Sequence, residues 1–117
     1  MDWKVSDPEL HKRFTGVDQS PIRRHLEYLA AGDTPFFLRM PIIPGVNDNI
    51  DHFRTAAQMV KHAKKLIRID VLPYQRAAGA KYEMVNKTYA PDFKEDTPPE
   101  LFPQVFDQFN VPYQLFK

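Results

Sequence analysis

The stretch Pro35–Val46 reads PFFLRMPIIPGV, and its reading decides the fold. Phe36, Phe37 and Leu38 open an apolar run that continues through Met40, Ile42 and Ile43. Pro44-Gly45 closes it as a turn, and Asn47, Asp48 or Asn49 then offers the cap of a helix. A short apolar run between breakers predicts a strand buried on both faces, as in a parallel sheet. One charge, Arg39, interrupts it. A charge inside such a strand needs a partner or a cavity, so Arg39 either holds a structural partner or reaches a ligand.

Working outward, the flanks alternate between strand and helix. Met1–Val5 has the pattern of the end of a strand. Ser6-Asp7-Pro8-Glu9 starts a helical turn through His11 and Lys12, and Thr15-Gly16-Val17 breaks it. Ser20-Pro21 predicts a helix start with Ser20 as its cap, Ile22, Leu26 and Leu29 on one face, and Gly32 as its stop. After Arg39 comes a helix with an apolar stripe of Ile50, Phe53, Ala57 and Val60, and Lys61, Lys64, Lys65 and Arg68 form a solvated end. Ile67, Ile69 and Val71 then alternate with Arg68 and Asp70, a strand that ends at Pro73. Gln75–Glu95 has no strong period and reads as a long loop with a helical turn near Lys81–Val85. Thr97 and Glu100 have capping-box spacing ahead of a helix faced by Leu101, Val105 and Phe109, which Pro103 bends or delays. Val111–Lys117 alternates as a last strand.

Strands alternating with helices predict an α/β fold of parallel βαβ units. Right-handed crossovers put the helices on one side of a curving sheet, giving half of a TIM-like barrel with open edges. Such edges predict either a fragment or one half of a two-part assembly, and self-association of the isolated chain.

Composition excludes several functions. The chain has 117 residues, 43% of them apolar, and a net charge of +1, so it offers one modest core and no basic field for nucleic acid. No apolar run is long enough to span a membrane. With no cysteine, the chain holds no disulfide, thiolate zinc site, cysteine nucleophile or thiolate-held cluster. That composition fits a cytoplasmic protein. His11, His25, His52 and His62 lack metal-ligand spacing and read as solvated or half-buried surface residues. No glycine-rich phosphate loop is present.

Chemistry in α/β barrels gathers at the C-terminal ends of strands. Those ends carry Asp2 and Lys4, then Arg39 and Pro41, then Tyr74 and Gln75. This polar set suits a zwitterionic or carboxylate-bearing ligand. The alternative is a frayed Asp2, with Lys4 and Arg39 paired to local acids.

Several motifs in order resemble a known family. Asp2-Trp3-Lys4, Asp7-Pro8-Glu9-Leu10-His11-Lys12, Thr15-Gly16-Val17, Leu38-Arg39, Pro41–Asp48, Asp70–Tyr74 and Lys81-Tyr82-Glu83 with Tyr89 resemble the C-terminal half of glycyl-radical-enzyme activating enzymes. The pyruvate formate-lyase activating enzyme is the best-known member. The resemblance implies a partial (β/α)6 barrel and radical S-adenosylmethionine (SAM) chemistry. A CxxxCxxC loop in the N-terminal half would hold a 4Fe-4S iron–sulfur cluster, and the protein substrate would be a glycyl radical enzyme. It implies SAM contacts for Asp2, Lys4, Arg39, Tyr74 and Gln75, with a monovalent cation near Asp2. Gln75 stands where the family usually has histidine, and Val85-Asn86 where it tends to Leu-Gly. Without the cysteines, this chain alone is expected to bind neither cofactor and to be inactive. A non-catalytic half-barrel that docks on another protein is the alternative.

Overall fold

The computed structural model describes residues 1–73 and 98–116. The long loop read at Gln75–Glu95, the turn at Lys81–Val85, and Tyr74 and Gln75 all lie outside them.

The N-terminal segment leads into α1 (Pro8–Thr15) and α2 (Ser20–Ala31). Next come β1 (Phe36–Ile42), α3 (Ile50–Val60) and β2 (Leu66–Pro73), then α4 (Gln104–Gln108) and β3 (Tyr113–Leu115). The sheet is parallel, in the order β1-β2-β3. The N-terminal segment extends it: Asp2 bridges Arg39 in parallel, the Arg39 N–H donates to the Met1 carbonyl at 2.7 Å, and the Trp3 N–H donates to the Arg39 carbonyl at 2.8 Å. This is the expected α/β half-barrel, with parallel strands and outer helices.

One core fills the helix-facing side of the sheet. Trp3, Leu38, Met40, Ile69 and Val71 meet Leu26 of α2, Phe53, Ala56 and Ala57 of α3, and Val105 and Phe106 of α4. A smaller cluster of Val5, Phe14, Ile43 and Val46 lies under α1.

Local chemistry sets most boundaries. Asp7 caps α1 by accepting from the Glu9 N–H at 2.9 Å, and Gly16, at φ 79, ends it in a left-handed conformation that favours glycine. Asn49, the last of the three candidate caps, caps α3 by accepting from the His52 N–H at 2.9 Å.

Other expectations are corrected. The first part of β1 is buried on one face only, because Phe37 and Arg39 are exposed between buried Phe36, Leu38 and Met40; Pro41 and Ile42 at its end are both buried. Ser20 does not cap α2: Asp18 Oδ1 accepts from the Ser20 N–H at 3.1 Å, a bond that also holds the Asp18 carboxyl below its usual pKa. Ile22 at 37% and Ile50 at 38% exposure drop out of the apolar stripes, while Ala56 enters.

Ile67 leaves the buried face because the register slips between Phe36↔Leu66 and Phe37↔Arg68, which makes Ile67 the extra residue of a bulge. Arg68 is not part of a helix end, since α3 stops at Val60 and Arg68 lies in β2. Thr97 of the expected capping box lies outside the described residues; the Glu100 N–H donates to Asp48 Oδ2 at 3.1 Å, and α4 begins only at Gln104. Pro103 delays α4, whose buried residues are Val105 and Phe106.

Two of the four histidines are buried, contrary to the surface reading. His11 is 5% exposed, its Nδ1 lying 3.1 Å from the Val17 carbonyl. His52 is 3% exposed, its Nδ1 lying 2.8 Å from Ser6 Oγ. Burial lowers the His52 pKa to about 4.

Candidate functional site

Register places four residues in one row across the sheet. Asp2 lies beside Arg39, Arg39 beside Asp70, and Asp70 beside Gln114. Arg39 stands between Leu38 and Met40, and Asp70 between Ile69 and Val71, all four of them fully buried. Alternation therefore points Arg39 and Asp70 away from the helices, onto the open face. Asp2 and Lys4 alternate in the same way with buried Trp3 and Val5.

Charges on this face pair unevenly. Arg39 Nε lies 3.9 Å from Asp2 Oδ1, with the side chains 58% and 50% exposed. That is a loose pair, and it leaves the terminal nitrogens of the guanidinium without an ion-pair partner among the described residues. Arg68 is held more firmly: its Nε donates to Asp70 Oδ1 at 2.6 Å. The Arg68 guanidinium also stacks 5.3 Å from the Phe37 ring and 5.9 Å from the Phe116 ring. Lys4 is half-buried and makes no ion pair among the described residues.

The turn after β1 organises this rim. The Asn47 side chain, 2% exposed, donates to the Lys4 carbonyl at 2.6 Å and to the Pro41 carbonyl at 2.8 Å, and accepts from the Ile43 N–H at 2.7 Å. Asp48 accepts from the Gly45 N–H at 2.9 Å and, through its other oxygen, from the Glu100 N–H. Sequence reasoning took Asn47-Asp48 for a helix start and missed these roles. Pro41 was the available signal: a proline inside a strand leaves a rung unmade and asks for a substitute.

Clefts lie beside the row. One of about 500 Å³ is lined by Ser6, Asp7, Asn49, Asp51, His52 and Thr55, among others, between α1 and the start of α3. A smaller one of about 160 Å³ borders Asp2, Trp3 and Lys4 against His11, Thr15 and Ile22. Arg39 lines neither and stands on the open face of the sheet, while Asp2 borders the smaller cleft. The structure thus brings Asp2 to Arg39 and sets Lys4 on the adjoining strand end. Tyr74 and Gln75 lie outside the described residues. Among those residues, no cluster of three metal-binding side chains occurs and no helix is long and apolar enough to cross a membrane.

This parallel half-barrel has a solved counterpart. A domain of the pyruvate-formate lyase-activating enzyme from Bacteroides vulgatus superposes with a TM-score of 0.70 at 18% identity, covering 99% of this chain and 65% of that one. The 4-hydroxyphenylacetate decarboxylase activating enzyme of Clostridioides difficile is 32% identical over 111 residues, 93% of this chain. The (2S)-3-sulfopropanediol dehydratase activating enzyme of Klebsiella oxytoca is 31% identical over 90 residues. This chain is a relative of the glycyl-radical-enzyme activating enzymes. It spans 28% and 35% of the lengths of those two curated relatives. No protein-family profile matches it.

Proposed function

We propose that this chain is the C-terminal half of a radical SAM activating enzyme that installs a glycyl radical on a partner enzyme such as pyruvate formate-lyase. Its share would be part of the SAM pocket and of the groove for the substrate peptide. The observation that carries this reading is the half-paired Arg39 on the open sheet face, with Asp2 beside it and Lys4 on the neighbouring strand end.

Two cations and one carboxylate fit the methionyl end of SAM. Lys4 and Arg39 would hold its carboxylate, and Asp2 would face its ammonium or a monovalent cation. Tyr74 and Gln75 would line the adenosyl end; a glutamine there hydrogen-bonds but does not titrate near neutral pH. SAM, when bound, supplies the adenosyl group on which the radical chemistry depends. This chain's residues bind and orient it. They do not fit an iron–sulfur cluster, because there is no cysteine among the 117 residues. The 4Fe-4S cluster would be held by the N-terminal half, and this chain alone is expected to be inactive. A cytoplasmic location goes with this reading.

Equilibrium titration of SAM into the activating enzyme that contains this segment tests the site. Arg39→Ala should weaken binding roughly ten- to a hundred-fold, the worth of a charged hydrogen-bonded contact. Unchanged affinity would remove Arg39 from the site.

The absence of cysteine favours a second reading, a half-barrel that docks on another protein without chemistry. The DNA ahead of the Met1 codon separates the two. An in-frame CxxxCxxC segment supports the enzyme, whereas a stop codon and ribosome-binding site support the docking module. Under either reading the edge of β3 and the N-terminal segment would pair with another chain or with the N-terminal half. Sedimentation of the isolated chain should show concentration-dependent association, and a clean monomer over a wide range would count against it.

A further inference from the structure

The backbone ladder between the N-terminal segment and β1 stops early. Its last rungs among the described residues are the Arg39 N–H to Met1 and the Trp3 N–H to Arg39. The next donor on β1 would be residue 41, and Pro41 has no N–H. Among the described residues no backbone bond beyond Arg39 joins the two strand ends: Pro41 cannot donate, and the Val5 N–H makes no bond to the Pro41 carbonyl. Lys4 lies on one of these free ends and Arg39 at the root of the other.

Asn47 sits where the rung is missing. An asparagine amide has two N–H donors and one carbonyl acceptor. Here one donor goes to Lys4 on the first strand end, one to Pro41 on the second, and the acceptor takes the Ile43 N–H. Its surroundings fix which way the amide points, since two carbonyls face the nitrogen and one N–H faces the oxygen. The Lys4 peptide, and with it the direction in which the Lys4 side chain leaves the strand, is thereby tied to the end of β1.

We propose that Asn47 is a positioning residue for Lys4 and Arg39: it replaces the rung that Pro41 removes and sets the spacing of two cations that meet one carboxylate of the ligand. The inference rests on the SAM-carboxylate reading above, and it names what gives that site its geometry. Asn47 touches no ligand and acts only through the strand ends. Aspartate has nearly the same shape but, when ionised, no donor, so Asn47→Asp would set a carboxylate against two carbonyls.

Two measurements test it. The first needs no ligand: amide hydrogen exchange on the chain. In Asn47→Asp the Trp3 and Arg39 amides should exchange at least tenfold faster, while the Ile69 amide, which donates to the Pro112 carbonyl on the β3 side of β2, stays protected. Unchanged exchange at Trp3 and Arg39 would overturn the clamp.

The second is a double-mutant cycle in SAM affinity on the activating enzyme that contains this segment, with Asn47→Asp, Lys4→Ala and both together. Asn47→Asp should weaken SAM binding about tenfold or more alone, and less than twofold in the Lys4→Ala background. A loss that repeats in full without Lys4, or no loss at all, would overturn the positioning role. Should Asn47→Asp fail to fold, Asn47→Ser keeps one donor and enters the same two experiments with smaller expected changes. A wild-type enzyme that does not bind SAM, with exchange still accelerated in the variant, would sink the SAM reading and leave Asn47 as a clamp between strands.

Discussion

On its helix-facing side the sheet carries Trp3, Leu38, Met40, Ile69 and Val71, all fully buried. On its open side, in the same strands and alternating with them, it carries Asp2, Phe37, Arg39, Arg68 and Asp70. There Arg39 and Asp2 keep about half of their side-chain surface in water at 3.9 Å. Burial on the first side supplies the folding energy. The second side is thereby free to hold charges that would be costly inside a core. The two faces of one three-stranded sheet can thus be probed separately.

The largest effect should come from the helix-facing side. Trp3 is fully buried, and its indole N–H donates to Ser6 Oγ at 2.9 Å. The Arg23 guanidinium lies 5.6 Å from its ring. Trp3→Ala should lower unfolding free energy by about 3–5 kcal/mol, as truncation of buried aromatics does. A urea midpoint shifted by under about 1 kcal/mol equivalent would mean that the N-terminal segment is not part of the core.

His52 extends the same side into a pH dependence. Its pKa falls from 6.5 unfolded to about 4 folded through desolvation. The folded state therefore keeps His52 neutral while the unfolded state takes up a proton. The contribution is fully present above about pH 6.5 and is lost as pH falls towards 4. A shift of that size corresponds to roughly 3 kcal/mol. Urea unfolding at several pH values should show this slope in the wild type and its reduction in His52→Gln. Equal slopes would mean that His52 titrates normally.

Much of the fold was legible because it depends on period and punctuation. The apolar run at Phe36–Ile43, the Pro44-Gly45 turn and the alternation through Ile69 and Val71 gave a parallel α/β half-barrel, as found. The misses came from contacts between elements. His52 was read as a surface histidine because sequence does not show that Ser6 lies 2.8 Å from its ring. Ile67 was placed on the buried face because a one-residue bulge leaves no mark in the alternation. At the candidate site, Asp2, Lys4 and Arg39 stood out in the sequence as strand-end charges, and the structure sets Asp2 beside Arg39. Asn47 did not, since its partners are carbonyls as far as 43 residues away in sequence. Asp70 stood out as one polar step of a strand and as the start of the Asp70–Tyr74 motif, not as the partner of Arg68.

Asp70 tests the middle of the comparison. Its side chain is 15% exposed and takes the Arg68 Nε–H at 2.6 Å, whereas Arg68 itself is 40% exposed. Asp70→Asn keeps an acceptor for Arg68 but removes the charge. Stability should fall by about 1 kcal/mol, less than a fully buried pair would lose. A loss above about 3 kcal/mol would mean that this face is as dry as the helix-facing one.

The smallest effect should fall on Arg39. Its partner Asp2 is half-exposed, the 3.9 Å separation is long for a hydrogen bond, and such pairs contribute little to stability. Arg39→Ala should move the urea midpoint by no more than about 0.5 kcal/mol equivalent. The two faces differ in kind only if this substitution is nearly silent in folding while Trp3→Ala is not. A destabilisation of about 2 kcal/mol would instead make Arg39 a structural member of its strand. Its pairing with Asp2 would then be reason enough for a charge at that position, and no ligand would be needed to explain it.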